Sequence, residues 1–205
     1  MCIPALTSGT IYTYAHVLAW SEDERWEILQ GVPYAMSPAP TIRHQEVAGA
    51  LYRILGNYMQ GKACRVFIAP LDVLLTEGQE PDEQIQTVIQ PDVFVVCDKS
   101  KLDKRRCKGA PDLIIEVLSP ATARKDRREK FLLYEKHGVK EYWLVEPDAK
   151  LITAFILKDN QYGRPNIYSD EEEMKTSIFA DLIVNLAEVF ADIEVEEEEL
   201  NELPS

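Results

Sequence analysis

The fold of this chain is decided by three short apolar runs, QPDVFVVC (residues 90–97), PDLIIEVLSP (111–120) and KEYWLVEP (140–147). Each run is rich in Val, Ile, Leu and aromatic residues and is bounded by Pro or polar residues, which predicts a buried strand. Between the second and third runs, ATARKDRREKFLLYEKHG (121–138) is predicted to form a helix over about residues 123–137 that ends at Gly138. Strands with short polar connections followed by a helical crossover imply a mixed sheet with helices on both faces.

Two of these predicted strands carry an acid at a position where burial would cost it solvation free energy. Asp92 stands at the start of the first run and Glu116 lies inside the second. Burying a bare carboxylate costs several kcal/mol of solvation, so each acid needs a partner. A shared divalent ion would serve both, because Mg²⁺ (or Mn²⁺) takes hard oxygen ligands and keeps several waters, so that two carboxylates and a backbone carbonyl suffice. The alternative is that both acids pair with Lys or Arg in a structural network.

Weaker patterns predict the elements that surround these strands. A serine and a glutamate three residues apart predict a helix over 21–30, and a short strand follows at 31–36. Apolar spacing predicts a long amphipathic helix from residue 41 or 42 to about 59. The run CRVFIAPLDVLLT (64–76) is predicted to be one long strand bent around Pro70. Beyond residue 147 we expect one or two hairpins and a short closing helix.

Composition places the chain among globular proteins. With 46% hydrophobic and 28% charged residues it has the mix of a soluble domain. The N-terminal residues do not have the pattern of a signal peptide, and no apolar run approaches the roughly 18 residues that span a bilayer, so we expect a cytoplasmic protein without membrane contact. We expect a single domain over residues 1–193 and a disordered tail over 194–205, because the tail is too acidic to pack.

The cysteines do not indicate a metal site. Cys2, Cys64, Cys97 and Cys107 show no CxxC spacing and no pairing with nearby histidines. For a cytoplasmic chain we therefore expect four reduced thiols rather than structural zinc.

Charge is unevenly distributed along the chain. A net charge of −13 argues against a protein that coats nucleic acid nonspecifically. The basic residues, however, cluster after the first two motif strands, at 99–108 and 124–130, where a polyanion would meet Asp92 and Glu116. The alternative for these residues is a solvated loop and a solvated helix face.

The motifs taken together resemble a known family. YAMSP (34–38) followed by His44 in a long helix, then PDVFVV (91–96), PDLIIEVLSPAT (111–122) and KFLLYEKHGVKEYWLVEP (130–147), resemble the Uma-type putative restriction endonucleases, long filed as a domain of unknown function, in the PD-(D/E)XK nuclease superfamily. The resemblance covers roughly residues 22–190. It implies an α/β (α+β) restriction-endonuclease-like core, a mixed sheet flanked by helices with added hairpins. It also implies a divalent metal ion between Asp92 and Glu116.

One position departs from the superfamily pattern. The pattern asks for a lysine two residues after the motif acid, and Leu118 stands there. Branches of the superfamily take this lysine from the following helix, and Lys130 is the candidate, because Asp126, Lys130 and Tyr134 recur every four residues and share one face. If that face meets the carboxylates, Lys130 assists the attacking water. If it meets solvent, Asp126 and Lys130 form a surface ion pair worth under about 1 kcal/mol.

Four further residues are secondary candidates for the site: Glu27, His44, Asp112 and Asp126. Glu27 matches a recurrent acidic position of the family, but it could equally be an exposed helix residue. His44 could contact phosphate, or it could cap or pack a helix.

Two functions remain open from the sequence. The first is a Mg²⁺-dependent DNA endonuclease, expected as a homodimer without any organic cofactor. The second is a catalytically inactive nuclease fold that binds nucleic acid or protein.

Overall fold

The computed structural model of the chain describes residues 9–20, 25–36 and 39–191. The helices are α1 (Tyr14–Ala19), α2 (Ile42–Met59), α3 (Ala123–Lys125), α4 (Phe131–His137) and α5 (Leu186–Val189), and a π-helical turn, Asp126–Lys130, joins α3 to α4. The strands are β1 (Trp26–Leu29), β2 (Val32–Ala35), β3 (Arg65–Ile68), β4 (Asp72–Leu74), β5 (Val88–Ile89), β6 (Val93–Val96), β7 (Arg106–Lys108), β8 (Leu113–Val117), β9 (Glu141–Glu146), β10 (Leu151–Lys158), β11 (Gln161–Tyr162), β12 (Asn166–Ser169), β13 (Glu173–Lys175) and β14 (Ile183–Asn185).

The central sheet contains the three motif strands as neighbours. Its order is β11-β10-β9-β8-β6-β3, and β12 also pairs with β10. β8 and β9 run parallel because the helical segment between them carries the chain back across the sheet, whereas β6 and β8 are antiparallel. A mixed sheet with helices on its faces confirms the predicted fold class. A second sheet has the order β2-β1-β5-β4-β7.

Both faces of the central strands are covered, which explains their uninterrupted apolar sequences. On one face, Val95 and Ile115 pack in the same cluster as Leu51 of α2. On the other, Phe94 and Ile114 pack with α4 and with the second sheet. The long predicted helix is confirmed as α2, and among the described helices none is long and apolar enough to cross a membrane.

Two predicted elements are wrong. Residues 21–24 lie outside the described residues, but the rest of the predicted 21–30 helix is strand β1, which pairs with β2 and β5. All four β1 residues are buried, so pairing within the sheet outweighs the local capping pattern. The predicted single strand over 64–76 is divided into β3 and β4, which belong to different sheets and are separated by a cis peptide bond at Ala69–Pro70.

The prediction of reduced thiols is also wrong for one pair. Cys64 and Cys97 form a disulfide. They lie one position beyond the paired residues Arg65 and Val96 of β3 and β6, so the sheet register brings them together across 33 residues of sequence. Cys107 is a buried free thiol. Cys2 and the acidic residues 194–205 lie outside the described part of the chain.

Candidate active site

The register of the central sheet places the two motif acids opposite each other. β6 and β8 pair antiparallel with Val93 opposite Ile115. Continuing this register by one residue sets Asp92 opposite Glu116, where side chains share a face with Cβ atoms about 4.5–5.5 Å apart. The backbone N–H of Val117 donates to Asp92 Oδ2 over 2.8 Å and holds that carboxylate at the end of β8.

Glu116 is buried and is held through one of its two oxygens. Its Oε1 accepts a hydrogen bond from Lys130 Nζ at 2.8 Å and another from the Tyr134 hydroxyl at 2.6 Å. Lys130 and Tyr134 are four residues apart, so one helix face supplies both donors. Among the described residues nothing donates to Glu116 Oε2. The carboxylate is therefore anchored on one side and open on the other.

Lys130 lies among three carboxylates rather than in solvent. Its Nζ is 2.8 Å from Glu27 Oε1, 2.8 Å from Glu116 Oε1 and 3.6 Å from Asp126 Oδ1, and the side chain is only 4% exposed. Burial alone would lower the pKa of Lys130, but Glu116, Glu27 and Asp126 together raise it well above its ordinary value. Lys130 is thus a buried, permanently charged ammonium, and the solvent-facing alternative is wrong.

The helix that carries Lys130 has an unusual local geometry. Asp126–Lys130 form a π-helical turn between α3 and α4. Such single turns are rare and occur often at functional sites. Lys125 and Lys130, one at each end of this turn, both contact the Glu27 carboxylate. Sequence periodicity did not indicate the role of Lys125, because a five-residue interval is not an α-helical repeat.

Glu27 joins this cluster from the second sheet. It lies on strand β1, is 1% exposed, and accepts from Lys125 Nζ through Oε2 at 2.6 Å and from the Gln90 backbone N–H through Oε1 at 3.2 Å. Burial disfavours its charge, but Lys130 and Lys125 lower the pKa of Glu27 to about 2. The alternative of an exposed helix residue is therefore wrong, and Glu27 is a fully neutralised carboxylate.

The acids of the cluster outnumber its ammonium groups. Glu27, Glu116 and Asp126 face the ammonium groups of Lys125 and Lys130, and Asp92 adds a fourth carboxylate beside Glu116. Burial raises the pKa of Glu116 to about 8, with Lys130 opposing and the neighbouring carboxylates adding to the rise. Burial likewise raises the pKa of Asp126, whose Oδ1 has no hydrogen-bond partner in the described part of the chain. With all four carboxylates ionised the cluster would carry a surplus of negative charge, and the raised pKa values of Glu116 and Asp126 reflect this cost, which a bound cation would remove.

His44 adds a titratable group beside Asp92. It lies in the first turn of α2 with Nε2 3.3 Å from Asp92 Oδ2, and its side chain is 14% exposed. Burial opposes protonation, but hydrogen bonding and charge from Asp92 raise the pKa of His44. Its Nδ1 is buried without a hydrogen-bond partner among the described residues.

Asp112 is the one secondary candidate that lies elsewhere. It precedes β8 at the end opposite Val117, accepts from the Cys97 backbone N–H at 2.7 Å and pairs with Lys140 Nζ at 2.6 Å. The structure therefore does not bring Asp112 into the cluster. Its two oxygens are both engaged by groups unrelated to the other candidate residues.

The basic segments are only partly available to a ligand. In the basic segment after β6, Arg106 and Lys108 of β7 both pair with Asp82. In the segment after β8, Lys125 and Lys130 point inward, whereas Arg124 and Arg128 are exposed. The exposed positive charge beside the cluster is thus smaller than the sequence indicated.

The donor atoms fit a hard divalent cation. Asp92 Oδ1 and Glu116 Oε2, from facing residues, receive no hydrogen bond from the described residues. Over residues 9–20, 25–36 and 39–191, no three His, Cys, Asp or Glu side chains are arranged to hold a metal ion together. An ion here would have two carboxylates and would complete its coordination with water or backbone oxygen, as Mg²⁺ does readily.

Comparison with known proteins identifies a family, a relative and a solved structure that this chain resembles. A family model described as "Uma2: Putative restriction endonuclease" matches residues 14–187. An uncharacterized protein of Synechocystis sp. is 28% identical over 146 residues, which cover 70% of this chain and 73% of that protein. The crystal structure of a putative nuclease belonging to DUF820 from Anabaena variabilis superposes with a TM-score of 0.69 over 87% of this chain and 97% of that chain. At 18% identity this last match shows a shared fold.

Proposed function

The chain belongs to the Uma2 family of putative restriction endonucleases, and from this premise we propose that it is a metal-dependent endonuclease that hydrolyses phosphodiester bonds in DNA. The family and the shared nuclease fold support nuclease activity in general. The metal, the substrate and the roles of individual residues are parts of the proposal.

One observation supports the proposal most strongly. Asp92 and Glu116 face each other across β6 and β8, each with one oxygen that no described residue engages, while Lys130 Nζ lies 2.8 Å from Glu116. Glu116 is buried, and a purely structural buried acid would be expected to have both oxygens satisfied by donors. Glu27, which accepts hydrogen bonds on both oxygens, shows what such a structural acid looks like in the same protein.

Asp92 and Glu116 would hold Mg²⁺ or Mn²⁺ through Asp92 Oδ1 and Glu116 Oε2. When bound, the ion would neutralise charge on the scissile phosphate and make water nucleophilic near neutral pH. The Val117 N–H keeps Asp92 in place for this task, and Lys130 with Tyr134 keeps Glu116 in place.

Lys130 would act through its charge and not as a base. Because three carboxylates keep its ammonium protonated, it can donate a hydrogen bond to the attacking water or stabilise negative charge that develops on phosphate. His44, when protonated, would place a second positive charge beside Asp92. Lys130 thus stands in for the lysine that Leu118 replaces.

DNA is the proposed substrate, and Arg124 and Arg128 are the exposed cations on the helical segment next to the cluster that would meet its phosphates. With a net charge of −13, binding should be confined to this face and fall steeply with salt. The homodimer and the cytoplasmic location stay predictions from the sequence.

A second function is favoured by a specific observation. Glu116 is already paired with Lys130, and no third acidic, His or Cys side chain among the described residues completes a metal cluster. This arrangement suits an inactive nuclease fold that binds nucleic acid or protein.

Incubation of the purified protein with supercoiled plasmid separates the two functions. The proposed endonuclease should nick the plasmid with Mg²⁺ or Mn²⁺, stop when EDTA is added, and lose activity in Glu116→Ala. Binding of DNA without nicking under all metal conditions would favour the inactive module. Equal nicking by wild type and Glu116→Ala would refute the assigned site.

A further inference from the structure

Tyr134 is a fully buried side chain whose hydroxyl ends on the motif acid. Its ring packs edge-on against Tyr142 with the ring centroids 4.9 Å apart. Its hydroxyl donates to Glu116 Oε1 over 2.6 Å, the same oxygen that accepts from Lys130 Nζ. Two donors converge on one carboxylate oxygen and so restrict both the position of the group and its rotation.

The neighbouring tyrosine shows that this contact is more than a way to satisfy a buried hydroxyl. Buried tyrosine hydroxyls generally find a partner, and Tyr142 does so on the backbone carbonyl of Asp126 at 3.1 Å. Tyr134 instead donates to a carboxyl oxygen, and such a hydrogen bond becomes shorter and stronger when the carboxyl is ionised, as it would be with a cation bound. With Oε1 held in this way, Oε2 is left as the oxygen that can meet a ligand.

We propose that Tyr134 is a positioning residue that orients Glu116 and thereby sets the affinity of the site for Mg²⁺. The inference rests on the proposed function, because it assumes that Glu116 Oε2 is a ligand of the ion. Groups that hold a ligand carboxylate typically change metal affinity by about 10–100-fold when removed. Lys130 alone would hold Oε1 without fixing the rotation of the carboxylate.

Two matched variants test this role. Tyr134→Phe and Tyr142→Phe each keep the ring and remove one buried hydroxyl from the same aromatic cluster, but only the first hydroxyl contacts Glu116. The carbon-13 resonance of the Glu116 carboxyl, assigned by its loss in Glu116→Gln, reports the hydrogen bond in metal-free protein. Calorimetric titration with Mg²⁺ reports the affinity, and urea unfolding reports the stability of each variant.

Tyr134→Phe should shift the Glu116 resonance and weaken Mg²⁺ binding at least tenfold. Tyr142→Phe should leave the resonance where it is in wild type and the Mg²⁺ affinity within about twofold of wild type, at a similar urea midpoint. If wild type binds Mg²⁺ and the two variants titrate alike, the inference is overturned and the proposed function stands. If Mg²⁺ leaves the wild-type Glu116 resonance unchanged, the proposed function and the inference fail together.

Discussion

Two Pro-Asp dipeptides precede the two antiparallel strands at the centre of the sheet, but the surroundings of their carboxylates differ. Asp92 precedes β6 and Asp112 precedes β8, and each carboxylate accepts a backbone N–H at the end of the neighbouring strand, from Val117 for Asp92 and from Cys97 for Asp112. The local structure is therefore nearly the same at both ends of the strand pair. The difference lies in what stands opposite.

Opposite Asp92 the register places Glu116, whereas opposite Asp112 it places Val96. The second oxygen of Asp112 pairs with Lys140, while the second oxygen of Asp92 receives no hydrogen bond from the described residues. Two facing carboxylates repel each other when both are ionised, and a cation between them removes that repulsion. A carboxylate that faces valine has no such repulsion. The comparison teaches that a Pro-Asp motif becomes a candidate metal site through its cross-strand neighbour.

The largest expected effect is on the free energy of unfolding, and it contrasts Lys130, near Asp92 and Glu116, with Lys140, near Asp112. Lys130→Met leaves Glu27, Glu116 and Asp126 buried without their shared ammonium, so it should lower the free energy of unfolding by about 3–5 kcal/mol. Lys140→Met removes an ammonium that is 63% exposed from one buried carboxylate that keeps its bond from the Cys97 N–H, so it should cost less, about 1–2 kcal/mol. Urea unfolding followed by circular dichroism measures both. Equal midpoints for the two variants would show that the buried cluster does not hold the fold together.

The next effect contrasts the two aspartates in catalysis. Asp92→Asn removes a charge from the pair that faces Glu116 and should slow plasmid nicking by about 10²–10³-fold, the usual loss when one group that stabilises transition-state charge is removed. Asp112→Asn should nick at close to the wild-type rate, because its carboxylate contacts Cys97 and Lys140, which lie outside the candidate site. Initial rates at saturating Mg²⁺ give the comparison. A strong loss of activity in Asp112→Asn with an unchanged urea midpoint would contradict the assignment.

The smallest effect concerns the ion itself. At ten times its dissociation constant, Mg²⁺ should raise the free energy of unfolding of wild type by about 1.4 kcal/mol, because it binds the folded state alone. Asp112→Asn should keep this gain and Asp92→Asn should lose it. Thermal unfolding with and without Mg²⁺ measures the gain. Stabilisation that persists in Asp92→Asn would place the ion elsewhere on the protein.

Much of the fold follows from patterns of short range. The three apolar runs, the helix after PDLIIEVLSP and the amphipathic helix α2 were all predictable, because burial on both faces and helical periodicity leave direct traces in the sequence. Strand β1 was not predictable, because Ser21 and Glu24, which precede it in the sequence, match the pattern of a helix cap, and its pairing with β2 and β5 depends on distant residues. The Cys64–Cys97 disulfide was missed for the same reason.

The candidate site likewise contains residues that local sequence patterns predicted and contacts that they did not. The sequence indicated Asp92, Glu116 and Lys130, and the four-residue spacing of Asp126, Lys130 and Tyr134 indicated a shared face. It did not indicate that Glu27 would be neutralised by Lys125 and Lys130. Glu27 comes from the second sheet, and the two lysines lie at the two ends of a π-helical turn, so neither contact follows a local sequence repeat.

The sequence by itself determined that two acids enter a buried mixed sheet and that a lysine-bearing helix follows the second, because hydrophobic periodicity is local and survives without knowledge of contacts. Only the tertiary structure decided which acids share a cation. Charges interact over a few ångströms of space regardless of their separation along the chain. The strand register therefore decides that Asp92 lies opposite Glu116, and the tertiary structure decides that Asp112 pairs with Lys140.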